Sequence, residues 1–173
     1  MARRRFDLFA ASERLMRMDE AAWARHANPW SVYSRMTVLP LMTLAIWSRI
    51  WLGWGALLPA ALVLAWIWWN PRAFGAPART DNWASRGTFG ERVFLNRRQV
   101  PIPAHHIRWA KGLAWLSGLG VLPWLCGLWL LDPGFTLCGL AVMIGGKLWF
   151  VDRMAWLYQD MQDRHPDYAG WNR

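Results

Sequence analysis

Apolar residues along this chain gather in four blocks, and the charged residues lie almost entirely between them. The blocks run from about Thr37 to Trp54, Gly55 to Trp69, Ile107 to Leu131 and Phe135 to Val151. They are continuously apolar and do not alternate with a period of two, so the pattern predicts helices rather than strands. The first two blocks form one run interrupted by Ser48, Arg49, Gly53 and Gly55. A single helix through both would be roughly 50 Å long, against a bilayer hydrocarbon core of about 30 Å. The run is therefore expected to fold back in the Gly53–Gly55 region, its second half being short for a full span. Asp132-Pro133-Gly134 signals a tight turn between the third and fourth blocks. The expected fold is all-α: an integral membrane four-helix bundle of two transmembrane hairpins, residues 37–54 with 55–69 and 107–131 with 135–151.

The segments between the blocks complete one membrane domain over residues 1–173. Residues 1–36 read as a cytoplasmic amphipathic segment. Within it, Phe6 to His26 is expected to form a helix whose loosely apolar side carries Phe6, Phe9, Leu15, Met16 and Trp23, stopped by Asn28-Pro29. Its acidic residues break any apolar stretch of the kind a cleaved leader needs. Residues 70–106 are too long for an unstructured connection. Trp83, Phe89, Phe94 and Ile102 give this loop apolar surface to bury, and it is expected to cap the ends of the spans. In the tail, residues 152–173, Met154, Leu157, Tyr158 and Met161 recur at helical spacing and extend the fourth block as an amphipathic helix.

Charge orients this arrangement. The net charge is +9, although the mean hydropathy of +0.06 averages apolar blocks with charged segments. Two hairpins place both termini and the 70–106 loop on one side. Every Lys and Arg except Arg49, and every acid except Asp132, then lies on that side or at its boundary. The positive-inside rule assigns it to the cytoplasm. A basic excess against the inner leaflet gains about 1 kcal/mol per residue near anionic lipid. Anionic headgroups therefore account for the charge, and nucleic acid is not an expected partner. The 16 Trp residues cluster near the block boundaries, as an interfacial belt does. Trp66, Trp115, Trp124 and Trp129 fall deeper and are expected to pack.

The chemistry-bearing residues on the cytoplasmic side are His26, Glu91, His105, His106 and Asp152. They are the candidate catalytic groups, and His26, His105 and His106 are the candidate metal ligands. Neighbouring side chains on a regular helix point about 100° apart, so His105 and His106 are expected to cap the third block in water rather than share an ion. Arg49 lies within an apolar run near the outer turn, where Asp132 offers it a structural ion pair. Lys147 is expected to reach the headgroups. Cys126 and Cys138 are expected to be free. Small residues recur four apart at Ala56 and Ala60, Ala61 and Ala65, Ala114 and Gly118, and Ala141 and Gly145, a spacing that suits ordinary helix packing. No motif implies a cofactor.

Several short blocks together resemble a bacterial multi-span membrane protein family of unknown function. They are Trp23-Ala24-Arg25-His26-Ala27-Asn28-Pro29-Trp30-Ser31, Trp47-Ser48-Arg49, Trp69-Asn70-Pro71-Arg72, Asp81-Asn82-Trp83-Ala84-Ser85, Gly90-Glu91-Arg92 and Lys147-Leu148-Trp149-Phe150-Val151-Asp152-Arg153-Met154. The resemblance covers roughly residues 20–162 and implies a multi-span membrane protein without supplying an activity. The expected role is a small scaffold or accessory subunit of the bacterial inner membrane, presenting a basic, Trp-rich cap to lipid, to a second copy or to a membrane partner. An enzyme acting on a lipid-soluble substrate through the loop histidines and acids is the alternative, and an oligomeric transporter is a third.

Overall fold

The computed structural model describes residues 19–172, and all regular elements among them are helical. The expectation for Phe6 to Met18 lies outside the described residues. Helix α1, Glu20–His26, starts where Asp19 accepts a hydrogen bond from the Ala22 amide at 2.6 Å. It buries Trp23 within the protein. Asn28 then caps α2, Pro29–Met36, with proline at the position that needs no amide donor. Helices α3, Val38–Trp47, and α4, Arg49–Leu52, continue the apolar run.

The run reverses at Gly53, whose φ of 53° and ψ of −127° suit glycine and strain a residue with a side chain. A short 3-10 turn, Gly53–Ala56, leads into α5, Leu57–Ala73, which packs back along α3. Hydrogen bonds at the open end fix this return. Ser31 Oγ donates to Asn70 Oδ1 at 2.8 Å, and Asn70 Nδ2 donates to Ser34 Oγ at 2.7 Å. In one straight helix Ser31 and Asn70 would be roughly 60 Å apart.

The 70–106 loop holds helix α6, Trp83–Leu95, capped by the Asn82 side chain on the Ser85 amide at 2.9 Å. Helices α7, Ala104–Leu119, and α8, Val121–Leu130, run nearly end to end. Leu131 turns the chain in a left-handed conformation, and α9, Pro133–Met161, returns beside them. Helix α10, Pro166–Ala169, closes the described chain.

Glycine decides how closely these helices approach. A Cβ on Gly90 of α6 would overlap the Met154 backbone carbonyl of α9, and one on Gly87 would lie 2.6 Å from Val151 Cγ1. Between α9 and the α7–α8 pair, Gly120, Gly127, Gly139 and Gly146 do the same: a Cβ on Gly120 would stand 2.8 Å from Met143 Cγ. The small-residue pairs singled out by spacing differ from these. Of these pairs only Ala56 with the partly covered Ala60 is packed; Ala61, Ala65, Ala114, Gly118, Ala141 and Gly145 are exposed, and a Cβ on Gly118 or Gly145 would meet open space.

Three stretches are long and apolar enough to cross a membrane: Pro29–Ala73, Ala104–Leu130 and Pro133–Arg164. The first is the stretch folded on itself at Gly53. Only 6%, 22% and 39% of their most apolar windows are buried, so they turn most of their apolar surface outward. The well-packed core lies elsewhere. It gathers Phe89, Val93 and Phe94 of α6 against Phe150, Met154, Leu157, Tyr158 and Met161 of α9, with Tyr168 of α10. Trp171 joins it 5.7 Å from the Phe89 ring, and the Tyr158 hydroxyl donates to the Tyr168 carbonyl at 3.0 Å.

One expectation about side chains is corrected in part. Trp115 and Trp129 are not packed: they are 73% and 81% exposed, because they face away from α9. Trp124 does pack, its indole donating to Thr43 Oγ1 at 2.9 Å across the two hairpins. Cys126 and Cys138 are free thiols and both are exposed.

Adding a side chain where α6 meets backbone forces the helices apart. Gly90→Ala is expected to cost about 1–3 kcal/mol, read as a lower melting temperature in detergent. Gly118→Ala, in open space, is expected to leave that temperature unchanged or raise it.

Candidate functional site

The residues expected to form one cytoplasmic site divide into three places. The first centres on His26 at the end of α1, which is 7% exposed. Arg35 of α2 lies against it, with Nη1 2.6 Å from Nδ1 and also in contact with Nε2. The same guanidinium donates from Nε to the Ser31 carbonyl at 3.1 Å and from Nη2 to the His26 carbonyl at 3.4 Å. Glu91 of α6 faces this pair and takes a 2.9 Å salt bridge from Lys147 Nζ of α9. Lys147 thus turns to Glu91 and to the Phe150 ring, 4.7 Å away.

Burial dominates the titration of His26. It withdraws the ring from water, and the charges of Arg35 and Lys147 act in the same direction against the smaller opposing effect of Glu91, lowering its pKa to about 3. At neutral pH the ring is therefore neutral and accepts a hydrogen bond from Arg35. Burial alone would raise the Glu91 carboxyl, but Lys147 and the other nearby positive groups outweigh it and hold the carboxyl below its usual range. The cluster joins four elements, with the Glu91 carboxylate shared between the charges of Lys147 and Arg35, an arrangement suited to fixing the cap on the helices. Two backbone contacts reinforce it: Ser85 Oγ donates to the Ala27 carbonyl at 2.7 Å, and Thr88 Oγ1 to the His26 carbonyl at 3.5 Å.

The second place is the start of α7. His106 Nε2 lies 2.8 Å from Asp160 Oδ2 near the end of α9. The His105 and His106 rings sit 4.1 Å apart, centroid to centroid. His105, His106 and Asp160 each offer a ligand atom, and these atoms lie within 4.8 Å of one another. The expectation that the neighbouring histidines diverge is thus corrected. They occupy the first turn of α7, where the rings tilt together at 39°.

The third place is Asp152 of α9, which accepts from Trp83 Nε1 at 3.2 Å and pairs with Arg153 at 3.1 Å. It ties the start of α6 to α9 and joins neither histidine group.

The proposed Arg49–Asp132 pair is also corrected. Arg49 Nη2 donates to the Leu128 carbonyl and, at 3.2 Å, to the Trp129 carbonyl. Asp132 instead caps α9, accepting from the Phe135 amide at 2.8 Å. The physical reason is local: the last carbonyls of α8 lack helical partners and attract a cation, while the first amides of α9 attract a carboxylate.

Sequence reasoning missed Arg35 and Asp160 as members of these groups. Arg35 is one of seven arginines among residues 1–36, and nothing in its spacing sets it apart. Asp160 lies off the apolar face of Met154, Leu157, Tyr158 and Met161, so its position on the helix gives no sign of a partner. Only the packing of α9 against the start of α7 brings it to His106.

This chain belongs to a family of unknown function, DUF6653, whose sequence profile matches residues 11–171. No curated protein and no solved structure matches it.

The His26 cluster makes stability pH-dependent in a defined direction. An unfolded His titrates near 6.5 and folded His26 near 3, so between these values the unfolded chain binds more protons and stability falls as pH falls. Melting temperatures in detergent are expected to drop on acidification from pH 6.5 towards 4.5. In His26→Asn that dependence is expected to flatten.

Proposed function

We propose that this member of the family is a polytopic membrane protein crossing the bilayer four times in two hairpins, acting as a small scaffold or accessory subunit. The observation that carries this reading is the outward apolar surface of the long stretches. Leu58, Leu62 and Leu64 of α5, Leu122 of α8 and Leu137 of α9 are each more than half exposed. Water would penalise such surface at about 25 cal/mol per Å², whereas lipid would not. Helices satisfy their own backbone groups, as a hydrocarbon environment requires.

Tryptophans mark two boundaries on that surface. Trp51, Trp54 and Trp129 lie by the turns, and Trp30, Trp68, Trp69, Trp109, Trp149 and Trp156 lie by the opposite ends, all exposed. From Trp109 to Trp129 the helical rise is about 30 Å, and from Trp54 to Trp69 about 22 Å. The first hairpin is therefore the shorter and is accommodated by upright helices or local thinning. Arg72 stacks on Trp68 at 4.3 Å and Arg153 on Trp156 at 4.7 Å, at the boundary where headgroups lie. The cap of α1, α6, α10 and the inner half of α9 then faces the cytoplasm of a bacterial cell, presenting basic and Trp-rich surface to anionic lipid or to a membrane partner.

Two measurements test this. In a chain with Cys126 and Cys138 replaced by Ser, an impermeant maleimide is expected to label Trp54→Cys and Leu131→Cys in intact cells. Gln99→Cys and Asn172→Cys should react only after permeabilisation, and finding those two on opposite faces would overturn the topology. In native mass spectrometry, the detergent-purified chain is expected to retain phosphatidylglycerol in preference to phosphatidylcholine. The double variant Arg72→Gln and Arg153→Gln should weaken that preference; no preference in the parent chain would overturn lipid presentation.

A further inference from the structure

We propose that His105, His106 and Asp160 bind a divalent transition metal ion of the zinc class on the α7–α9 face. The inference goes beyond the scaffold reading and does not depend on it. Two imidazoles and a carboxylate form the donor set that zinc and similar borderline cations take in proteins, leaving a coordination position for water or another ligand.

Three features make the cluster more than neighbouring polar residues. His106 is only 3% exposed, so one ligand is held rigidly by its surroundings. Its Nε2 already faces a carboxylate, while its Nδ1 is buried without a hydrogen-bond partner. With Nδ1 enclosed, Nε2 is the nitrogen presented to Asp160 and to an incoming ion. Finally, the other two ligands can move. His105 is exposed and the Asp160 side chain is 48% exposed. Bonds of about 2.0–2.1 Å to a tetrahedral ion place ligand atoms roughly 3.3 Å apart. To hold an ion, the widest separation, at most 4.8 Å, closes by up to about 1.5 Å and the 2.8 Å His106–Asp160 pair opens by about 0.5 Å, adjustments that rotamer changes at His105 and Asp160 supply around the fixed His106.

The ion would bridge the first turn of α7 to α9, fifty-four residues apart in sequence from His106 to Asp160. Arg153 is close enough for its charge to act on His106, so the site holds its cation against a positive neighbour. Asp160 supplies the compensating negative charge, which makes it the ligand whose neutralisation should be felt most.

The test uses the full chain in detergent, with any affinity tag removed, titrated with zinc by calorimetry and with cobalt by visible absorption. One ion per chain is expected, with the cobalt bands of a low-coordinate nitrogen and oxygen site. His105→Ala and Asp160→Asn, both at exposed positions, should each weaken zinc binding at least tenfold without changing the helical circular dichroism. His106→Ala should abolish it, and His165→Ala should have no effect. Zinc binding by the parent chain no tighter than by the Asp160→Asn variant, or binding that follows His165 instead, would overturn the proposal. Because the readout is metal affinity, it fails or succeeds independently of membrane topology.

Discussion

The close approach of α6 to α9 is the contact on which the rest of the structure depends. Gly87 and Gly90 let the loop helix lie directly on the Val151–Met154 turn, where a methyl group would meet backbone. With that distance set, Phe89, Val93 and Phe94 reach Phe150, Met154, Leu157 and Tyr158 and form the main core. The same register carries Glu91 to Lys147 and Trp83 to Asp152. Moving α6 outward by the width of one side chain would therefore loosen the core and separate both polar contacts together.

This places the tightest packing at one end of the molecule instead of between the long apolar stretches. Two kinds of surface explain the division. The α6 face is apolar on a helix otherwise rich in polar residues, so water drives it onto α9. The long stretches are apolar on nearly every side and meet through glycines at Gly120, Gly127, Gly139 and Gly146 and through occasional hydrogen bonds such as Trp124 to Thr43. Their remaining surface faces outward. The polar groups follow the same division. His26, Arg35, Glu91 and Lys147 fasten the cap, while His105, His106 and Asp160 gather where α7 enters beside α9.

Legibility in the sequence tracked the range of the interaction. Continuous apolar blocks declared helices, and the break at Gly53 and the turn before Pro133 were marked by residues whose backbone preferences act locally. The loop was readable as structured from its aromatic residues but not as a helix, since Gly87 and Gly90 lower its helix propensity and tertiary contact overrides that preference. The outward position of Trp129 and the hold of Arg49 on the end of α8 were not readable, since each depends on which face of a neighbouring helix is near, whereas the Asp132 cap on Phe135 is local to its own helix.

By itself, then, the sequence determined that this is a helical chain of long apolar stretches joined by charged segments, because hydrophobicity and turn chemistry are written residue by residue. The tertiary structure alone decided the partners: His26 with Arg35, Glu91 with Lys147, His106 with Asp160. Helical periodicity gives a side chain its direction only relative to its own axis. The rotation and offset of one helix against another come from where backbones can approach, and here a handful of glycines sets both.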